Sequence, residues 1–343
     1  MQLGRARALA VGALLSSGCD FPTAAPILEH QWLVPVDRST ISVAELLPAG
    51  VSISGSAFAV TVSPVVSAGT LGSLCSICGP LQGQTVPVPP FQGTFTSSTA
   101  LPADVVSGVL ASGTVQVSIR NGFSFNPLAN GGELVLTLRD GAAGRQLGRL
   151  ELRGPADALP PGGTVDRTLT LALGAVGSSL TAVTDVMVPA GTVARIDNTQ
   201  EIRVTATPTS VLVSSARVDV SGAVASLETV VLDVEDLEDF EDDIQEGAVV
   251  LDVTNPFGVR LTGQIRVTYP GGEITKPVTI GAAATSNVSI PFTGDELRAF
   301  LGTSPVTLSG SATVAAGAGV ITIIPQQVVE IEAKIRLTLR IGE

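Results

Sequence analysis

Three cysteines, one histidine and a run of nine carboxylates are the side chains here whose chemistry reaches beyond packing. Cys75 and Cys78 form a C-x-x-C in "LCSICG". Such a pair can be a local disulfide, a reduced or metal-linked pair, or a thioredoxin-type redox centre. The redox centre needs a helix N-terminus in a βαβ setting. Flanks of "GTLGSL" and "GPLQG" read instead as a loop among strands, which favours the disulfide. His30 is the single histidine, so a multi-histidine zinc site is excluded, and no nucleophile motif stands beside it. Trp32 and Tyr269, the single Trp and Tyr, read as packing residues. The acidic run "DVEDLEDFEDDIQEG" (233–247) holds Asp236, Glu238, Asp239, Glu241, Asp242 and Asp243 without a base. It lacks the calcium-loop pattern of an EF-hand, D-x-[DN]-x-[DN]-G with a closing Glu. It reads as a solvated helix face or, functionally, as a dock for a basic partner. The types and spacings present imply no metal and no cofactor.

Composition limits the elements that could hold these residues. Of 343 residues, 45% are hydrophobic, 15% charged and 3% aromatic. Val, Thr, Gly and Pro are frequent, and Leu/Glu/Lys-rich helical stretches are missing, so strands and turns dominate. The net charge of −12 argues against nucleic acid, whose phosphates demand clustered Lys and Arg. Loss of residues 1–18 would remove Arg5 and Arg7 and leave −14.

Residues 1–18 have the parts of an export signal: the basic "MQLGRAR", the apolar "ALAVGALL", then the small "SSG". Eight apolar residues are too few to span a bilayer, which needs about 20. Ser16, Ser17, Gly18 and Cys19 resemble the lipobox of bacterial lipoproteins, with Leu15 one place early. The resemblance implies cleavage before Cys19 and a lipid on its thiol. Residues 19–27, with two prolines, read as a tether.

Beyond the tether the chain repeats. "SGTVQVSIRNGF" (112–123) and "EGAVVLDVTNPF" (246–257) align without gaps at an offset of 134. Val115, Val117 and Ile119 match Val249, Leu251 and Val253, and Asn121 matches Asn255. The alternation is that of a half-buried strand, and each Asn ends it in a turn. Ahead of the second copy, Leu237, Phe240 and Ile244 fall on one face of a short helix, and the first copy has Val106 and Leu110 at the matching places. "PTSVLVSSARVDV" (208–220) also aligns with "PQQVVEIEAKIRL" (325–337).

The segment "VVLDVTNPFGVRLTGQIRVTY" (249–269), with Asn255 and Pro256 after its strand, resembles the water-stress-and-hypersensitive-response domain of late embryogenesis abundant proteins. The first copy keeps Asn121 but has Gly122 in place of the Pro. The resemblance implies an Ig-like or fibronectin-like sandwich with a binding or protective role and no catalytic residues to carry over. The expectation is an all-β chain of two tandem antiparallel sandwiches, each with a short helix before the repeated strand. The first would cover 28–222, with extra N-terminal strands and the C-x-x-C loop, and the second 223–343. Functionally it would be a non-enzymatic, lipid-anchored envelope protein that binds a protein partner. The alternatives are carriage of an apolar small molecule or lipid and, less favoured, an envelope hydrolase. An apolar carrier predicts a cavity of several hundred Å3.

Overall fold

The computed structural model describes residues 28–141, 144–235, 237, 244–317 and 319–341. Signal, tether and Cys19 therefore lie outside the described residues, as do Asp236, Glu238, Asp239, Glu241, Asp242 and Asp243. Strand is the dominant element, in line with the composition. It opens with β1 (Leu28–Ser42), a 3-10 turn (Val43–Leu46), β2 (Val51–Ser54), β3 (Ala57–Val60) and β4 (Val65–Thr70). A single helical turn, α1 (Leu71–Leu74), leads to β5 (Thr85–Pro87), β6 (Phe91–Ala100) and β7 (Val105–Asn121). Next come β8 (Glu133–Asp140), β9 (Gln146–Arg153), β10 (Thr164–Thr170), β11 (Gly174–Val176), β12 (Ser179–Val188), β13 (Val193–Arg195) and β14 (Glu201–Asp219). The last third holds β15 (Val224–Leu232), β16 (Ile244–Thr254), β17 (Leu261–Tyr269), β18 (Gly272–Ile280) and β19 (Thr285–Thr293). It ends with α2 (Gly294–Arg298), β20 (Val306–Val314), β21 (Val320–Ile323) and β22 (Val328–Ile341).

The last third together with β1 forms two four-stranded sheets, β1-β22-β16-β19 and β15-β20-β17-β18. The middle repeats the order: β4 joins β14, β7 and β10 in one sheet, and β6-β12-β8-β9 form the other. In both sandwiches the first strand pairs with the last, β1 with β22 and β4 with β14. An immunoglobulin-like sandwich has a different order. Eight strands in this order make a jelly roll. The two-sandwich, all-β expectation is met, and the Ig-like strand order is corrected.

The domain boundaries change with it. Residues 28–42 were expected beside the first sandwich. Instead β1 pairs with β22 along most of its length, from Leu28↔Ile341 to Ser42↔Val328. Val43 (0% exposed) and Leu46 (4%) follow it into the same core, and the Ser226 amide donates to Glu45 Oε2 at 2.6 Å. One roll, the host, is thus built from 28–47 and 220–341. The other, residues 48–219, is inserted between its first and second strands. The chain returns to the host roll once β14 ends at Asp219. At the joint, β21 of the host pairs with the end of β14, Val320 opposite Asp219 and Ile323 opposite Ala216. Ile323 and Val218 are fully buried there, and a continuous hydrophobic core runs through both rolls.

The alternation in the sequence sets the two cores. Val115, Val117 and Ile119 point inward at 0% exposure, as do their repeat partners Val249, Leu251 and Val253 at 1–2%. The helix expected before the repeated strand is absent in the first copy. There β7 runs from Val105 as strand, because β14 bonds one edge along 105–113 and β11 bonds the other at 108–110. In the second copy, strand already begins at Ile244, Leu237 is buried, and Phe240 lies outside the described residues.

Candidate functional site

The repeated asparagines do the same work in both rolls. Asn121 is fully buried where β7 ends. Its Nδ2 donates to the carbonyls of Phe125 (2.8 Å), Leu159 (2.9 Å) and Pro160 (3.2 Å), and its Oδ1 accepts from the Phe123 amide (2.9 Å). Asn255 donates to Val259 (2.7 Å) and Gly281 (3.1 Å) and accepts from the Phe257 amide (3.2 Å). Each Asn closes its own turn and fastens the connection leading into β10 or β19. This role is structural.

Gly122 shows why the first copy departs from the Asn-Pro pattern. Its amide donates to the Glu201 carbonyl at 2.9 Å, which a proline could not do, and a Cβ there would stand 2.4 Å from the same oxygen. In the host roll the matching Pro256 is exposed.

Cys75 and Cys78 are joined in a disulfide, with both residues buried at 1% and 0% exposure. The bridge closes the end of α1 in the connection from β4 to β6. That connection is fastened to residues 189–200. Asn198 N donates to Gln82 Oε1 at 2.8 Å, Gly83 N to the Ile196 carbonyl, Ile196 N to the Gln84 carbonyl, and β5 pairs with β13. Ser124 ties in the turn after Asn121, donating through its amide to Gln200 Oε1 (2.8 Å) and through its hydroxyl to the Arg195 carbonyl (2.6 Å). The result is a cross-bonded tip of four connections.

The polar candidate is the outer face of the host sheet. A depression of about 580 Å3 crosses all four strands and is lined by Arg38, Asp252, Asn287, Glu330 and Glu332 among others. Asp252 accepts from Lys334 Nζ (2.7 Å) and from Asn287 Nδ2 (2.7 Å). Lys334 reaches Glu332 at 3.6 Å and Arg38 reaches it at 3.8 Å. The Lys334 hydrogen bond, then Asn287, hold the Asp252 carboxyl below its ordinary range, and Asp252 raises Lys334 in turn. Sequence reading missed this set. The signal was faint: Asp252 and Lys334 are polar positions on two alternating strands, and only register puts them side by side.

The roll interiors are filled. An apolar void of about 40 Å3 in the inserted roll lies between Val60, Leu110, Leu171, Leu180 and Val213. Another of about 20 Å3 in the host touches Ile41, Leu251 and Ile331. His30 is exposed on β1, Trp32 is 37% exposed, and Tyr269 is half-buried with its ring 6.4 Å from Phe300. Among the described residues no three His, Cys, Asp or Glu side chains gather as metal ligands would. No described helix is long and apolar enough to cross a membrane.

No protein-family model and no curated protein matches the sequence. Among solved structures, a Parabacteroides distasonis ATCC 8503 protein inferred to be secreted is similar at 10% identity over 90% of this chain and 99% of its own, with a TM-score of 0.34. The VP2 subviral particle of infectious bursal disease virus is similar at 12% identity over 93% of this chain and 73% of its own, with a TM-score of 0.23. These are distant likenesses between β-rich chains, and no ligand or activity follows from them.

Proposed function

We propose that the chain is an exported lipoprotein, anchored through Cys19, whose two rolls serve as a protein-binding or structural module of the cell envelope. The observation that carries this reading is the closed, buried Cys75–Cys78 disulfide in a chain whose first 19 residues have the order of a lipoprotein signal. Stable disulfides belong to oxidising compartments. The interiors support a binding module over an apolar carrier. Voids of about 40 and 20 Å3 are far below the roughly 300 Å3 or more of a ligand pocket.

The four described carboxylates whose titration is shifted do not suit a general acid at neutral pH. Asp197, Asp219 and Asp252 are all held low, by Thr199, Ser221 and Lys334 respectively. At Glu296 burial works upward and is outweighed by Lys276 and the Thr293 amide. A general acid at neutral pH needs the opposite shift. The acidic run of 233–247 stays, in this reading, a dock for a basic partner. Globomycin treatment or Cys19→Ser tests the anchor: uncleaved or released protein is expected. Unchanged cleavage and membrane association would overturn it.

A further inference from the structure

The depression of about 580 Å3 on the outer face of the host sheet has the size of a ligand site, for which roughly 300–1,000 Å3 is usual. Strand register builds its floor. Thr40, Glu330, Thr254 and Thr285 stand side by side across the four strands, and Arg38, Glu332, Asp252 and Asn287 form the next row. At about 4.8 Å between strands, each row reaches across about 14 Å. The second row is closed on itself. Lys334 and Asn287 hold Asp252, and Arg38 and Lys334 reach Glu332. The first row is open. Glu330 is exposed, makes no hydrogen bond or ion pair with a described residue, and has a threonine on either side. A depression of about 490 Å3 on the inserted roll offers no such group. There Asp185 accepts from Thr94 Oγ1 at 2.6 Å, and Glu133 pairs with Arg153 at 2.8 Å.

We propose that this depression binds a neutral oligosaccharide, with the Glu330 carboxylate accepting from sugar hydroxyls and Thr40, Thr254 and Thr285 completing the contact row. The charges select a neutral ligand. Arg38 and Lys334 stand against Asp252, Glu330 and Glu332, two cations against three carboxylates, so an anion gains nothing. A metal ion finds one uncommitted carboxylate where it needs several oxygen ligands. Apolar anchors of a protein partner find no pocket, because the lining has no aromatic side chain and its Val253 and Ile331 are buried in the core. Hydroxyl groups suit what remains. Each donates to a carboxylate, which has two acceptor oxygens and no donor, and accepts from Thr, Asn or Arg. Bonds to the charged carboxylate are the strong ones. With no ring to stack on, a Kd on the order of 1 mM is expected. The open row lies toward Ser42 and Val328, near the inserted roll. It is far from Leu28 and Ile244, where the tether and the acidic connection join the sheet. Sugar binding here does not depend on the Cys19 anchor.

The test uses the full chain in a sugar-free detergent, titrated with maltohexaose, xylohexaose, chitohexaose and cellotetraose and followed by saturation-transfer NMR. Saturable binding of at least one of these sugars is expected. Glu330→Ala should weaken it about tenfold, the loss of a charge-assisted contact. Thr254→Val, which keeps the branched strand side chain, should weaken it several-fold. Asp185→Asn, in the depression of the inserted roll, should leave it unchanged. All three positions are at the surface, and an unchanged melting temperature shows that each variant is folded. Absence of saturable binding of all four sugars up to about 10 mM overturns the proposal. Equal affinity of the wild type and Glu330→Ala, or a larger loss in Asp185→Asn, overturns it as well.

Discussion

Replacing Asn121 by Ala would cut the inserted roll at a point where one side chain holds two segments. Three hydrogen bonds are lost at a minimum: two donated by Nδ2, toward Phe125, Leu159 and Pro160, and one accepted from Phe123. A typical net value is about 1 kcal/mol each, more where a buried partner is stranded. The expected loss is therefore about 3 kcal/mol, equivalent to roughly 6–12 °C in melting temperature for a unit the size of the inserted roll. Asn121→Asp is the sharper variant. It keeps the acceptor for Phe123 but turns oxygen toward carbonyls 2.8 and 2.9 Å away. At pH 7 it should cost at least as much as Ala. The penalty should shrink as pH falls, because the protonated carboxyl regains one donor. Urea unfolding followed by circular dichroism, from pH 7 to 4, measures both. An Ala cost below about 1 kcal/mol, or Asp better tolerated than Ala at pH 7, would refute the clamp.

The inserted topology predicts that Val43→Ala, at a fully buried position after β1, weakens the host roll by about 2 kcal/mol. Hydrogen exchange should then rise in β16 and β22 and stay unchanged in β8 and β12. Gly122→Pro should destabilise the inserted roll by about 1–3 kcal/mol through the lost amide donor and the contact with Glu201, whereas Pro256→Gly should change the melting temperature little. Replacing Cys75 and Cys78 together with Ser opens a short loop worth about 2 kcal/mol, and faster exchange should be confined to 71–84 and 196–200. Asp252 is held below its ordinary pKa, so its pairing stabilises above about pH 4 and is lost as pH falls through the lowered value. Asp252→Asn should cost less than about 1 kcal/mol at pH 7, since the pair is partly exposed, and progressively less as pH falls.

Several features could be read from the sequence because they are local. Alternation at 115–119 and 249–253 names the buried face of a strand whatever its neighbours. An Asn at the end of such a strand, found twice, announces a turn. Two cysteines three residues apart in a Gly/Pro-rich loop can reach each other without help from the rest of the fold. The helix expected before the first repeated strand is strand instead, because Val106 and Leu110 suit an extended chain as well as a helical face. Bonding from β11 and β14 to both edges of β7 decided for the strand.

What the sequence could not determine is which strand lies beside which. A period of two assigns faces and is silent about neighbours. β1 meets β22 across some 300 residues, and no local residue type marks that pairing. From it follow the jelly-roll order, the insertion of one roll into the other, and the meeting of Leu28 and Ile341 at one pole. The Asp252–Lys334 pair and the need for Gly122 are decided the same way, by strand register and by the close approach of the Glu201 carbonyl. Local chemistry determined what each segment is, and long-range pairing alone decided where it stands.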